Sequence, residues 1–306
     1  MRLIQDIKPL FARYGTGVGL FVTIAVSLWV FVLIVLPQIA MVEISFGHNL
    51  PPAERGGPKD VYTLSNYAYF LFGNDGSFNA LHVMIMVKTV LASVIVTIFD
   101  VVLCYPIAFV LAHGARPAAA RLMVIGLIVP YWVNEVLRAF AFRIIFGATG
   151  LVNGLGQALG FWDEPIDFIR EDVALYAGLT YAYILLMIFP IYNAIEALDR
   201  NQIEAARDMG ASWWRIHWRV VIPMAKPGIA SGCTMVFMLT TGALAAPQIL
   251  GGPSNLWFTQ LVYQWFNEAS NWPRGSAYAV ILVAVCILFT FLMMRVFKVK
   301  IGEIGR

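Results

Sequence analysis

Apolar residues in this chain come in long unbroken runs and do not alternate with polar ones. Residues 14–42 contain no Asp, Glu, Lys or Arg, and further runs lie at about 87–112, 122–145, 173–196, 227–250 and 275–294. A helix rises about 1.5 Å per residue, so about 20 apolar residues cross the hydrocarbon of a bilayer. The pattern predicts an all-α polytopic membrane protein with six transmembrane helices, the first over 17–41. The uncharged stretch 227–267 is too long for one crossing, and "GGPSN" at Gly251–Asn255 breaks it. The aromatic, amphipathic "LWFTQLVYQWFNE" that follows suits a short helix lying at the interface. Between the first two runs, residues 42–86 hold the Pro/Gly-rich "HNLPPAERGGPKD" and a short helical pattern near 64–72. Pro106, Pro130, Pro190 and Pro247 fall inside spans and are expected bend points.

Composition agrees with this class. Of 306 residues, 60% are hydrophobic and 13% charged, and the mean hydropathy is +0.75. Soluble domains are about half apolar and about a quarter charged. A net charge of +3 does not point to nucleic acid as a partner. Cys104, Cys233 and Cys286 all lie in apolar runs and read as packing residues. The apolar run after Arg2, Lys8 and Arg13 is too long for a cleaved signal, so a retained anchor is expected.

Lys and Arg distribution sets the expected orientation. With the N-terminus cytoplasmic, the inner segments 1–16, 113–121, 197–226 and 295–306 hold 14 Lys and Arg, and the outer segments hold 4. Both termini are then cytoplasmic. The expected organisation is a cytoplasmic segment 1–16, an anchor helix 17–41, a periplasmic loop 42–86, a five-helix core 87–295 and a tail 296–306. The loop 197–226 within the core lies on the cytoplasmic side.

That loop contains "EAARDMGASWWRIHWRVVIP", residues 204–223. Residues 199–209 read as a short helix with Asp199 as a candidate cap. Gly210 suits a left-handed turn, and Ser212 is placed to cap a second helix over 213–221. That helix would gather Trp213, Trp214, Ile216, Trp218, Val220 and Val221 on one wide apolar face, with Arg215 and Arg219 opposite. His217 falls within the apolar face and reads as a packing ring. Two short helices at an angle make a compact knob, and aromatic and Arg residues are frequent interface anchors. The other reading is an amphipathic helix whose tryptophans sit at headgroup level.

The spacing Glu204-Ala205-Ala206, three residues, Gly210, nine residues, Val220, then Ile222-Pro223 resembles the EAA motif. Val220 and Ile222 stand where that motif has Ile and Leu. The motif marks the membrane subunits of binding-protein-dependent ABC importers of the type I fold. "PYWVNEVLRAFAFRIIF" (Pro130–Phe146), "LSNYAYFL", "LGGPSN" and "NWPRGSA" are similar to the spermidine/putrescine-type permease subfamily. The resemblance implies that Glu204, Ala205, Ala206, Gly210, Trp213, Trp214 and Pro223 dock in a cleft of an ATPase dimer. It implies a second permease subunit, expected to be a paralogue, and a periplasmic solute-binding protein. The chain has no GxxxxGK[ST] with which to bind ATP. ATP and Mg are therefore expected on the partner ATPase, with no cofactor or metal on this chain.

Intramembrane ionisable residues mark candidate pathways. Asp100 lies near the middle of the second span and either pairs across helices or lines a wet cavity, and Glu135 and Arg138 share a face of the third, where pairing with each other is the alternative to a pathway role. Tyr131 and Trp132 lie one turn before Glu135, and Trp132 offers a face for an ammonium group, the other reading being that both are packing aromatics. Two acids against one base tilt these five residues toward a cationic or zwitterionic substrate. The resemblance implies a polyamine or related organic amine, with an opine, amino acid or other organic acid as the alternative. The absence of HExxH, of GxSxG and of clustered acids or histidines within the spans leaves no candidate for a membrane enzyme. A secondary transporter would leave the 204–223 segment without a purpose.

Overall fold

The computed structural model describes residues 2–54, 56–58, 61–73, 76–114, 116–252 and 255–299. Pro253 and Ser254 of the expected break, and tail residues 300–306, lie outside the described residues. The described residues form helices and connecting turns, with no strand among them.

Among the described residues, five helices are long and apolar enough to cross a bilayer: α1 (Thr16–Ser45), α3 (Ala80–Gly114), α7 (Val173–Glu196), α9 (Trp213–Thr241) and α12 (Trp272–Phe297). The segment expected as the third crossing is a bent pair, α4 (Ala118–Trp132) and α5 (Glu135–Ile145), which meet at 96°. Shorter helices are α2 (Ser65–Phe72), α6 (Leu151–Ala158), α8 (Arg200–Asp208), α10 (Ala245–Leu250) and α11 (Phe258–Asn267). The 96° bend follows from local chemistry. Pro130 lacks the N–H that would continue an α-helix, and the chain tightens into a 3₁₀ turn over Val129–Trp132. Val133 is then extended, and the Asn134 side chain caps the new helix by accepting from Val136 N at 2.9 Å.

The core is the trio α3, α7 and α9. Val96, Leu175, Leu179, Met187, Ile188, Ile191 and Val236 are fully enclosed within it. Lipid tails are as apolar as Leu, so close van der Waals packing holds such helices together. Small residues on α9 permit it. A Cβ on Gly228 would strike the Pro190 carbonyl and the Ala194 side chain, and one on Gly232 would strike Met187. The outer helices are far less enclosed. The most apolar stretch of α1 is only 6% buried against 61% for α9, so α1 presents nearly its whole surface outward.

At the end of the bundle opposite the knob, α2 and α11 lie across α3 and α12. Phe70, Ile85, Phe258, Leu261 and Tyr278 form a second apolar cluster there. The Tyr278 hydroxyl meets His82 Nδ1 at 2.6 Å, and the Arg274 guanidinium stacks 3.9 Å from the Tyr69 ring centroid. The two amphipathic segments foreseen near 64–72 and 256–267 thus form one packed cap.

Candidate functional site

The chain presents two places of chemical interest, one at the knob end and one in the opposite half of the bundle. The knob is built as a helix, a left-handed turn and a second helix. Asp199 caps α8 by accepting from Asn201 N at 3.0 Å. Gly210 has φ +76, a conformation that side chains with a Cβ resist. Ser212 takes the extended N-cap backbone of α9 without a side-chain cap hydrogen bond.

The knob's second helix is not a separate piece. Trp213–Ile216 passes through a π turn, His217–Val221, straight into the span Ile222–Thr241. Pro223, which marks the end of the motif, sits in the first turn after that π turn and does not break the helix. The widened turn moves the carbonyls that a proline ring would otherwise strike. The knob is therefore continuous in backbone with a core helix.

The expected docking residues separate by burial. Glu204, Ala205, Gly210, Trp213, Trp214 and Pro223 are exposed, whereas Ala206 is packed into the core with Ile203, Ile216 and Val221. The wide apolar face read from the sequence is thus divided: Ile216 and Val221 face the bundle, and Trp213, Trp214 and Trp218 face outward at 56%, 68% and 65% exposure. Met209 adds a further 81% exposed apolar side chain. Exposed aromatics concentrated on one knob mark a surface that a partner or an interface covers.

In the other half of the bundle, Glu135, Tyr183, Met238, Leu239 and Gln248 line a 390 Å³ cleft between α5, α7 and the α9–α10 turn. Glu135 Oε1 accepts from the Tyr183 hydroxyl at 3.5 Å. Arg138 packs over the Tyr131 ring, 4.9 Å from its centroid. Its Nε and Nη1 are buried without a hydrogen-bond partner. Tyr183, from 48 residues further along the chain, joins this group and was not singled out from the sequence. Trp132 stands apart and 86% exposed.

Asp100 is placed elsewhere. It is fully enclosed in the α3, α7 and α9 core, with Thr180, Cys104 and Cys233 as neighbours. Neither carboxylate oxygen is in hydrogen-bonding geometry with a partner. The fold brings together Tyr131, Glu135 and Arg138, whereas Asp100 is enclosed and does not line their cleft. Among the described residues, no group of three or more His, Cys, Asp or Glu could hold a metal.

The described residues form a bundle of membrane-crossing helices with an exposed aromatic knob continuous with a core span. The chain belongs to the family described as the binding-protein-dependent transport system inner membrane component, which matches residues 76–301. It is a multi-pass inner-membrane permease subunit of an ABC importer, and not an enzyme. Among its relatives, the spermidine/putrescine transport system permease protein PotB of Escherichia coli is 31% identical over 270 residues, 87% of this chain and 93% of that protein. PotB of Haemophilus influenzae is 29% identical over 282 residues, 90% of this chain and 93% of that one. The fold is shared with a bacterial alginate ABC transporter solved in complex with its pentasaccharide-bound periplasmic protein. There the TM-score is 0.71 at 14% identity, over 98% of this chain and 100% of that one. The MetNI methionine ABC transporter aligns with a TM-score of 0.54 at 19% identity, over 71% of this chain and 94% of that one.

Proposed function

We propose that this chain forms half of the translocation pathway of a polyamine importer, and that its 199–221 knob docks on an ATPase dimer. The knob carries this reading: a left-handed Gly210 turn presents Glu204 and outward-facing tryptophans on an element continuous with a core span. The names of the PotB relatives support spermidine or putrescine as the substrate class. A periplasmic binding protein would deliver it to the cap of α2 and α11, and a second permease subunit would complete the pathway. ATP and Mg would sit on the ATPase, and both termini would be cytoplasmic.

Glu135 would be the substrate-facing carboxylate. It lies in an open cleft beside Tyr183, and its neighbour Arg138 is already stacked on Tyr131. A carboxylate beside aromatic rings suits a protonated amine. Trp132, exposed outside the cleft, would meet the substrate only along its approach. Enclosed Asp100 is not given a place on this pathway.

The test is reconstitution of this permease with its ATPase, second permease and binding protein in proteoliposomes. ATP-dependent accumulation of labelled putrescine or spermidine is expected. Uptake that persists in the isolated chain without ATP would refute the importer reading, and ATP-driven uptake of an organic anion alone would refute the substrate class.

A further inference from the structure

A hydrogen bond joins the knob to a helix that the chain does not connect it to. Tyr105 of α3 and His217 of the π turn are 112 residues apart, and the Tyr105 hydroxyl lies 2.6 Å from His217 Nδ1. The bond is enclosed. His217 is only 3% exposed, with its ring 4.5 Å from Phe109 of α3 on one side and 4.0 Å from Trp213 of the knob on the other. Trp213 in turn meets Trp214 edge-on at 4.8 Å. A continuous line of rings therefore runs from the exposed face of the knob to α3.

Both elements are altered in backbone at the contact. On α3, Pro106 lies between Tyr105 and Phe109, and the helix ends in a π turn, Val110–Gly114. On α9, His217 opens the π turn His217–Val221. A proline and two widened turns lower the resistance of both helix ends to bending. Stiff α-helix flanks the soft turns on the far side of each, over Ala80–Phe109 and Ile222–Thr241. A second tie holds the same end of α3, where His113 Nε2 lies 3.1 Å from the Ile195 carbonyl of α7. The packing reading of His217 leaves the short hydrogen bond unexplained. A buried imidazole nitrogen needs a hydrogen-bond partner, and here α3 supplies it across the interface with the knob.

We propose that Tyr105 and His217 form a latch that transmits displacement of the knob to α3, and that they are positioning residues for coupling ATP hydrolysis to transport. The proposal rests on the reading of the knob as the ATPase-docking element. Through α9 the knob moves its own span by covalent continuity. Through the latch it moves α3, which has no chain connection to it. The two motions together shear the core trio, whereas α9 alone would slide past α3. Neither side chain touches the substrate cleft, so both act through the helices they join.

The experiment uses the whole reconstituted transporter and three readouts: ATPase co-purification, binding-protein-stimulated ATP hydrolysis, and putrescine uptake per ATP. Tyr105→Phe keeps the ring and removes the hydroxyl. It is expected to leave assembly and hydrolysis intact and to lower uptake per ATP about fivefold, the factor carried by one net hydrogen bond. His217→Phe should behave in the same way, and His217→Gln, which retains a hydrogen-bonding side chain, should recover most of the lost ratio. Wild-type uptake per ATP in both Tyr105→Phe and His217→Phe overturns the latch. An equal fall of hydrolysis and uptake at a constant ratio also overturns it, because that is the signature of a merely structural pair. If Tyr105→Phe does not accumulate, the two His217 variants carry the same comparison. Gly210→Val separates the two readings: an ATPase that still co-purifies fully with it refutes docking at the knob, independently of the latch.

Discussion

The Tyr183 hydroxyl of α7 donates to Glu135 Oε1 of α5 across the cleft, at 3.5 Å. The bond is long and its carboxylate borders open space, so the acceptor retains capacity for a ligand. Glu135→Gln is expected to raise the putrescine concentration for half-maximal uptake by about tenfold, as loss of one charged hydrogen bond would. Tyr183→Phe should have a smaller effect, about fivefold or less. Initial rates of ATP-driven uptake over a concentration series decide this, and an unaltered Glu135→Gln curve removes the carboxylate from the pathway.

Gly210 holds φ +76 at the apex of the knob, with open space around the position its Cβ would take. Only backbone strain therefore opposes a side chain there. Asn tolerates left-handed geometry and β-branched residues do not. Gly210→Asn is expected to keep the ATPase bound through detergent purification. Gly210→Val should reduce the bound fraction at least about fivefold, for roughly 1–2 kcal/mol of strain. Densitometry of the purified complex measures both.

Gly228 is needed for a different reason, the approach of α9 to the Pro190 carbonyl of α7. Gly228→Ala is expected to destabilise the bundle by about 1–3 kcal/mol through overpacking. Gly154, in α6, meets nothing within 4 Å, so Gly154→Ala should be neutral or slightly stabilising by up to about 1 kcal/mol. Thermal denaturation of the purified transporter followed by size-exclusion chromatography would show the contrast. Equal melting temperatures for the two variants would contradict the packing.

Asp100 is enclosed beside Thr180, with neither carboxylate oxygen in full hydrogen-bonding geometry. A polar group buried in this way opposes folding by about 1–3 kcal/mol. Asp100→Val, apolar and nearer to Asp in size than Leu, should leave the melting temperature unchanged or raise it, and Asp100→Asn should keep putrescine uptake within about twofold. A folded Asp100→Asn transporter that cannot accumulate putrescine would return this residue to the pathway.

Much of the architecture was legible in the apolar runs. Backbone polar groups must be satisfied within each segment in lipid, so a long run such as 173–196 has little choice but a helix. The knob was legible for a similar reason: Gly210 has a conformational meaning of its own, and Asp199 sits where a cap is needed. The third crossing was less so. Pro130 announced a bend, but its size of 96° depends on Val133 and Asn134 leaving helical geometry together. The expected second helix, 213–221, stops just before Pro223, yet the helix runs on, because the π turn before the proline absorbs it.

The sequence by itself determined which segments are helical, which lie in the membrane and which loop carries the EAA-like spacing. Those follow from hydropathy, capping and turn chemistry, all local in the chain. The tertiary structure alone decided the long-range pairings. It enclosed Asp100, placed Tyr183 beside Glu135, turned Trp213 and Trp214 outward while burying Ile216, and set Tyr105 against His217. Helical periodicity defines a face but not its neighbour. The neighbour depends on how closely α3, α7 and α9 approach, and Gly228 and Gly232 set that distance where α9 meets α7.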